Sequence, residues 1–262
     1  MKKPRPLRPV HPNAGIRAAY RRRLLIQVND MIDSYKYWLK AGYRAHPPVL
    51  AQDETPSQAL KRELGKLGRR WRKRFDEMAD GLADYFARST KARSDAALRK
   101  ILKDAGWTVQ MPKMTRAMRD VMAATITENV GLIRSIPQQF HTQIEGMVMR
   151  SFAVGGDLAT LTRDLQRQFG STRKRAELIA RDQNNKATSA FLRVRYLDMG
   201  ITEAVWMHSG GGKEPRPTHV RNNGKRYNVE TGWLDPAVGE YIHPGTLINC
   251  RCTSRPVVRG FT

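Results

Sequence analysis

From about Ser57 to Arg88 the apolar side chains Leu60, Leu64, Leu67, Trp71, Phe75, Met78, Leu82 and Tyr85 stay within one residue of a heptad seam. A stripe kept up for that many turns predicts one long helix, and so regular a seam needs a partner helix to cover it. The other faces of this helix carry Lys61, Arg62, Lys66, Arg69, Arg70, Arg72, Lys73 and Arg74, with Glu63 the one acid among them. Closely spaced cations release counterions when they meet a polyanion, so the face reads either as a phosphate-binding stripe for double-stranded DNA or as a solvated helix surface. Trp71 is expected on the seam rather than on a base.

Partner helices are legible on both sides. Leu24, Val28, Met31, Tyr35 and Trp38 alternate in steps of four and three, with Leu25, Ile32 and Leu39 beside them, which predicts an amphipathic helix from about Ile16 to Lys40. Ala41-Gly42 should stop it, and His46-Pro47-Pro48 should open a loop reaching Thr55-Pro56. A short helix is expected from Asp95 to Asp104, ended by Gly106. Met114, Met118, Val121, Met122, Thr125, Leu132 and Ile133 mark another, which Pro137 should break before Phe140, Ile144, Met147, Val148 and Phe152 carry the pattern on to Gly155-Gly156. Asp157 is placed to cap a helix through Leu158, Leu161, Leu165 and Phe169 that ends at Gly170. Ser171 or Thr172 then caps a further helix to about Met199.

Residues 1–15 hold four prolines together with Lys2, Lys3, Arg5 and Arg8, and read as an extended basic arm. Its two readings are contact with nucleic acid or a partner groove, and a solvated tail. Lys plus Arg number 47 against 24 Asp plus Glu, a formal charge of +23, which points to an anionic partner. No apolar run is long enough to span a bilayer. The basic N-terminus has no apolar stretch behind it, so no signal peptide is expected. Two cysteines in so long a chain make no disulfide framework, and synthesis in a reducing cytoplasm is the expectation.

Beyond Gly200 the texture changes from helical periods to short alternating runs. Thr202–His208, Lys225–Val229 and Arg251–Val258 read as strands, Gly210-Gly211-Gly212 as a flexible loop and Asn222-Asn223-Gly224 as a tight turn. The fold expected is α+β. A basic arm (1–15) leads to a helical region (16–155), followed by a small α+β C-terminal module (156–262).

Both cysteines fall in Asn249-Cys250-Arg251-Cys252, and Arg216 and His219 are spaced to share one side of a turn. If the cysteines lie on a strand they project from one face. With His219 and either His208 or His243 they have the donor set of a tetrahedral zinc site. They equally suit a buried core, a disulfide or a reactive thiol, and no cofactor is expected. His208 and His219 with Arg216 also have the residue types for acid–base cleavage of RNA. A third reading is structural: Arg216, His219, Asn249 and Arg251 are multi-donor side chains suited to tying irregular loops together.

The ordered set Trp206, Glu214-x-Arg216-x-x-His219, Gly224-Lys225, Pro244 and Asn249-Cys250-Arg251-Cys252 resembles the C-terminal domain of phage Mu F-like minor head proteins, the phage head-morphogenesis family. Glu214 stands where that family usually carries Asp, and five residues separate His243 from Asn249 where the family more often has His-Pro directly before Asn-Cys. The resemblance implies a non-enzymatic minor capsid protein of a tailed phage, located inside the head. It also implies binding to the portal protein, with the major capsid or scaffold protein as further partners. In that family a helix precedes the Trp-bearing strand, which would let Arg181, Gln183 and Asn184 face the C-terminal site, a solvent face being their other reading. The rival readings are a nuclease-like or toxin-like domain on a basic delivery segment, and a free DNA-binding protein.

Overall fold

The computed structural model describes residues 5–45, 56–153, 158–211 and 214–258. The expectations for Lys2, Lys3, His46–Pro48, Thr55, Gly155, Gly156, Asp157 and Gly212 lie outside them. Among the described residues the order is β1 (Arg5–Pro6), α1 (Ala14–Ala45), α2 (Pro56–Asp104), α3 (Arg116–Ala153) and α4 (Leu158–Asp198). These are followed by β2 (Glu203–Met207), α5 (Pro217–Arg221), β3 (Arg226–Asn228), β4 (Trp233–Asp235), β5 (Glu240–Ile242) and β6 (Thr253–Val258). The fold is α+β, long helices first and a small strand module after them.

Four expected helix breaks are absent, the first because α1 continues through Ala41 and Gly42 to Ala45. The helices expected over 57–88 and 95–104 are one helix, α2. The apolar pattern lapses near residue 90 because that face is polar and buried: Thr90, Ser94 and Asp95 are all inaccessible. Pro137 lies inside α3. Losing one backbone donor and crowding the preceding turn costs about 3 kcal/mol. The seam of Ile133, Ile136, Phe140 and Ile144, almost wholly buried, offsets that cost. Gly170 is likewise internal to α4, where it costs about 1 kcal/mol relative to alanine and does not stop the helix.

Two compact units divide the chain, and their boundaries run through the helices. One comprises Ala19–Ala83 and Glu128–Ile179. Its buried core includes Leu60, Leu64, Leu67, Trp71, Phe75 and Leu82 of the α2 seam, Leu24, Val28, Met31 and Tyr35 of α1, and Phe140 and Val148 of α3. Tyr35 meets Phe140 edge-on at 4.9 Å, and its hydroxyl lies 3.0 Å from His141 Nδ1. Burial, the largest influence on His141, pushes the imidazole pKa down. Gly68 explains how α2 comes so near α3: a Cβ there would sit 2.8 Å from the His141 ring.

The other unit comprises the described residues up to Ala18, Asp84–Thr127 and those from Ala180 onward. The units therefore do not follow a boundary at residues 155 and 156. Val10, Leu98 and Leu102 belong to the same core as Leu192, Tyr196, Trp206, Tyr227, Cys250, Cys252 and Val258. Nor is the arm a free tail over its described part. β1 pairs antiparallel with β6, giving the sheet order β1-β6-β2-β3, while β4 and β5 form a separate hairpin that the sequence pattern does not signal. Arg255 Nε donates to Leu7 O at 2.8 Å, and Asn13 Oδ1 accepts the Ile16 amide at 2.9 Å to cap α1.

A buried fork fastens α2 to α4 within this unit. Arg195, 1% exposed, donates from Nε to Asp95 Oδ1 at 2.7 Å and from Nη2 to Asp95 Oδ2 at 2.9 Å. Nη1 reaches the Pro112 carbonyl at 2.9 Å, and Lys91 adds a second cation to Asp95 at 2.7 Å. Burial alone would raise the Asp95 pKa, but the Arg195 and Lys91 hydrogen bonds outweigh it and hold the carboxyl below its ordinary value.

Asp95→Ala leaves the buried Arg195 charge with Asp198 at 3.4 Å as its one remaining carboxylate among the described residues and should cost up to about 3–5 kcal/mol in denaturant unfolding. Because the folded-state pKa of Asp95 is depressed, its contribution is complete above the unfolded value of about 3.9 and is lost as pH falls through the folded value. An acid titration of stability should therefore lose a component below about pH 4 that the Asp95→Ala protein lacks. In α2, Gly81 has open space at its Cβ position whereas Gly68 does not. Gly81→Ala should stabilise by about 0.5–1 kcal/mol. Gly68→Ala should destabilise, since overpacking costs about 1–3 kcal/mol; equal melting shifts for the two would exclude the close approach.

Candidate functional site

The middle of α4, at Arg181, and the strand module enclose a cleft of about 560 Å³ lined by Arg181, His208, Glu214, Arg216, His219, Asn249, Cys250, Arg251 and Cys252, among others. One face of α4 holds the loop from His243 to Cys250, whose end lines the cleft, because that loop has no ladder of its own. Asp182 Oδ1 accepts the Asn249 amide at 2.8 Å, Asn185 Nδ2 donates to the Cys250 carbonyl at 3.0 Å, and Ser189 Oγ donates to the Pro244 carbonyl at 2.5 Å. Spacings of three and four put these side chains in one row on the helix. Arg193, one turn further, donates to the Val229 and Glu230 carbonyls.

The loop needs two left-handed residues to make its turns. Gly245 has φ 84°, and a Cβ there would lie 3.3 Å from the Cys252 carbonyl and 3.4 Å from that of Asn185. Asn249, φ 61°, is the non-glycine residue in that region, a conformation its side chain tolerates better than most. The Asn249 amide oxygen accepts from Arg181 Nη2 at 2.7 Å.

Trp206, fully buried on β2, holds the centre. It meets His219 edge-on at 5.1 Å, Trp233 at 5.2 Å and Tyr227 at 5.9 Å. Gly224, φ 78°, turns the chain so that its amide and the Lys225 carbonyl pair with the Trp206 backbone, while the Lys225 side chain is exposed. Arg216, just before α5, donates to the Ile248 carbonyl at 3.0 Å. Arg251 is exposed on the cleft wall.

His219, on α5, is 2% exposed and has a polar neighbour beside each ring nitrogen. Nδ1 lies 3.5 Å from Cys250 Sγ and 3.7 Å from Cys252 Sγ. Nε2 lies 3.2 Å from Asp235 Oδ2, off the line of a good hydrogen bond, and the Asp235 side chain is wholly inaccessible. Cys250 and Cys252 are free, buried thiols. The Cys252 thiol hydrogen-bonds Cys250 and lowers its pKa against the opposing effect of burial, and the Gly245 amide adds a donor at 3.3 Å. Cys252 is correspondingly pushed up, chiefly by its hydrogen bond to Cys250.

The sequence-read site residues thus fall into two groups. Trp206, Arg216, His219, Gly224, Lys225, Asn249, Cys250, Arg251 and Cys252 surround one cleft or the core beneath it. Lys61, Arg62, Lys66, Arg69, Arg70, Lys73 and Arg74 are exposed on α2, and Arg72 is half-buried. Glu63 pairs with Lys66 at 2.7 Å, and Arg74 reaches Asp30 at 3.4 Å. Arg69 and Arg70 have no acidic partner among the described residues. Trp71 is buried on the seam, beneath Arg74.

Gln183 and Asn184 do not take the solvent face that was one of their readings: both are buried, and Asn184 donates to the Asn13 carbonyl at 3.2 Å. His243 is not turned to the thiols, its Nε2 being 3.0 Å from the Val229 carbonyl. The acid–base pairing of His208 with His219 has no support, since His219 directs Nδ1 at two thiols and Nε2 at a carboxylate. Sequence reasoning missed Asp182, Asn185, Ser189 and Asp235. The polar row recurring in steps of three and four on α4 was a readable signal for the first three, but nothing local marks Asp235.

Residues 142–255 match the family described as phage Mu protein F like protein, which bears out the resemblance over that segment. An uncharacterised protein of Haemophilus influenzae is 28% identical over 189 residues, covering 69% of this chain and 39% of the relative. The chain spans about two-fifths of the length of that relative. No solved structure matches.

Asn249→Gly should keep the loop geometry and lose only the Arg181 hydrogen bond. Asn249→Val, branched at a left-handed position, should fall below it by about 1–2 kcal/mol in urea unfolding. Equal stability of the two variants would show that the loop does not require this turn.

Proposed function

With residues 142–255 forming a Mu F-like segment, we propose that this protein is a non-enzymatic minor head protein of a tailed phage, acting in head morphogenesis. It would bind the portal inside the prohead and contact packaged double-stranded DNA, with major capsid or scaffold protein as further neighbours, and would reside in the virion. The observation that carries the reading is the coincidence of that segment with a cleft whose motif residues serve chiefly to fix loops. Arg216 and the α4 row bind backbone groups, and the Asn249 side chain accepts from Arg181, which suits a docking module.

The DNA contact rests on charge. The surplus of +23 and the exposed run from Lys61 to Arg74 are what a polyanion would meet. On this reading the helices between residues 16 and 155 present the portal-facing and DNA-facing surfaces.

The test is quantitative mass spectrometry of gradient-purified proheads and mature particles after a high-salt wash, paired with DNA binding at several salt concentrations. A salt-resistant signal of a few copies per head is expected. Replacing Lys61, Arg69, Arg70 and Lys73 with glutamine should flatten the dependence of log affinity on log salt by roughly 0.9 for each phosphate no longer neutralised. Absence from particles overturns the head-protein reading, and an unchanged salt slope overturns the DNA stripe.

A further inference from the structure

His219, Cys250 and Cys252 form a buried cluster whose donor atoms all lie within 4.8 Å of one another. The identity of the three side chains already restricts what they suit. Two thiols and an imidazole are soft to borderline donors that select zinc over magnesium or calcium. Their spacing is a second, independent restriction. Zinc bonds of about 2.3 Å to sulfur and about 2.0–2.1 Å to nitrogen, at the tetrahedral angle, place a ligand nitrogen about 3.6 Å from each ligand sulfur. The observed separations from His219 Nδ1 are 3.5 Å and 3.7 Å.

A third observation comes from the far side of the ring. Asp235 Oδ2 lies 3.2 Å from His219 Nε2, and neither atom has a hydrogen-bond partner among the described residues. A carboxylate so deeply buried is costly unless it has work to do on its neighbour. Metal-bound histidines commonly direct their second ring nitrogen at such a carboxylate, which fixes the ring and raises ligand basicity. The Ala237 amide holds Asp235 Oδ1 at 3.0 Å, leaving Oδ2 for the imidazole. Rigid elements supply each ligand: α5 positions His219 against Trp206, and the α4 row pins the backbone at Asn249 and Cys250. Two thiolates and a neutral imidazole would also cancel the charge of a divalent ion, as a buried cluster requires.

We propose that His219 Nδ1, Cys250 Sγ and Cys252 Sγ bind one zinc ion, with Asp235 as the carboxylate behind the histidine and a water from the cleft in the fourth position. All three ligands line the cleft, so solvent reaches the site. His243 is excluded by its bond to Val229, and His208, whose Nδ1 accepts the Gly210 amide at 3.2 Å, is not a ligand. This inference stands apart from the head-protein reading and does not depend on it.

The test uses the full chain, stripped with chelator under reducing conditions and titrated with Co²⁺ as a spectroscopic probe, then with Zn²⁺. Sulfur-to-cobalt charge transfer and tetrahedral ligand-field bands should appear at one equivalent and be displaced by Zn²⁺. Cys250→Ser/Cys252→Ser should abolish the charge transfer, Asp235→Asn should weaken zinc about 10–100-fold, and His208→Ala and His243→Gln should bind one equivalent as the parent does. A folded parent chain showing no charge transfer with Co²⁺ overturns the site, and loss of binding on His208→Ala overturns the three-ligand assignment. Because the decisive readout is taken on the unmodified chain, misfolding of a cysteine variant does not affect it.

Discussion

An irregular loop can be buried only if something satisfies its backbone, and here one face of α4 does so. Asp182, Asn185 and Ser189 take the Asn249 amide and the Cys250 and Pro244 carbonyls in turn. A buried amide or carbonyl left without a partner costs about 1–3 kcal/mol, so three such bonds decide between one loop conformation and many. The cleft, the approach of Cys250 and Cys252 to His219, and the exposure of Arg251 all follow from that docking.

The same unit depends on charge placed where charge is expensive. Arg195 and Asp95 are both buried and meet in a two-point fork, with the Pro112 carbonyl and Asp198 on the arginine and Lys91 on the aspartate adding further contacts. Such a pair specifies position more than it adds stability, because only one alignment of α2 and α4 satisfies every donor. It also accounts for the polar stretch inside α2. Thr90, Ser94 and Asp95 interrupt the apolar pattern because the face they occupy meets an arginine rather than a leucine.

Much of the helical architecture was legible because hydrophobic periodicity is local. Leu24 to Leu39 and Leu60 to Leu82 announce buried faces, and those faces are largely buried, although Trp38 on the first and Tyr85 at the end of the second are exposed. The errors were errors of continuity. A polar patch, a proline and a glycine each resembled an ending, and each was overridden by burial on either side, a tertiary effect that no short window contains. The hairpin of β4 and β5 was missed because its strands have three residues each, too few for an alternation to register.

The motif residues at the site were named from order and spacing alone, and the fold does bring them to one cleft. What sequence by itself determined is therefore the class of fold, the basic character of α2 and the set of side chains gathered near Cys250 and Cys252. Only the tertiary structure decided that His219 turns Nδ1 to both sulfurs and Nε2 to Asp235, that His243 faces away, and that β1 pairs with β6. These are matters of direction between segments distant in the chain. Direction is set by which buried polar groups find partners once the chain has folded, and local sequence carries no record of it.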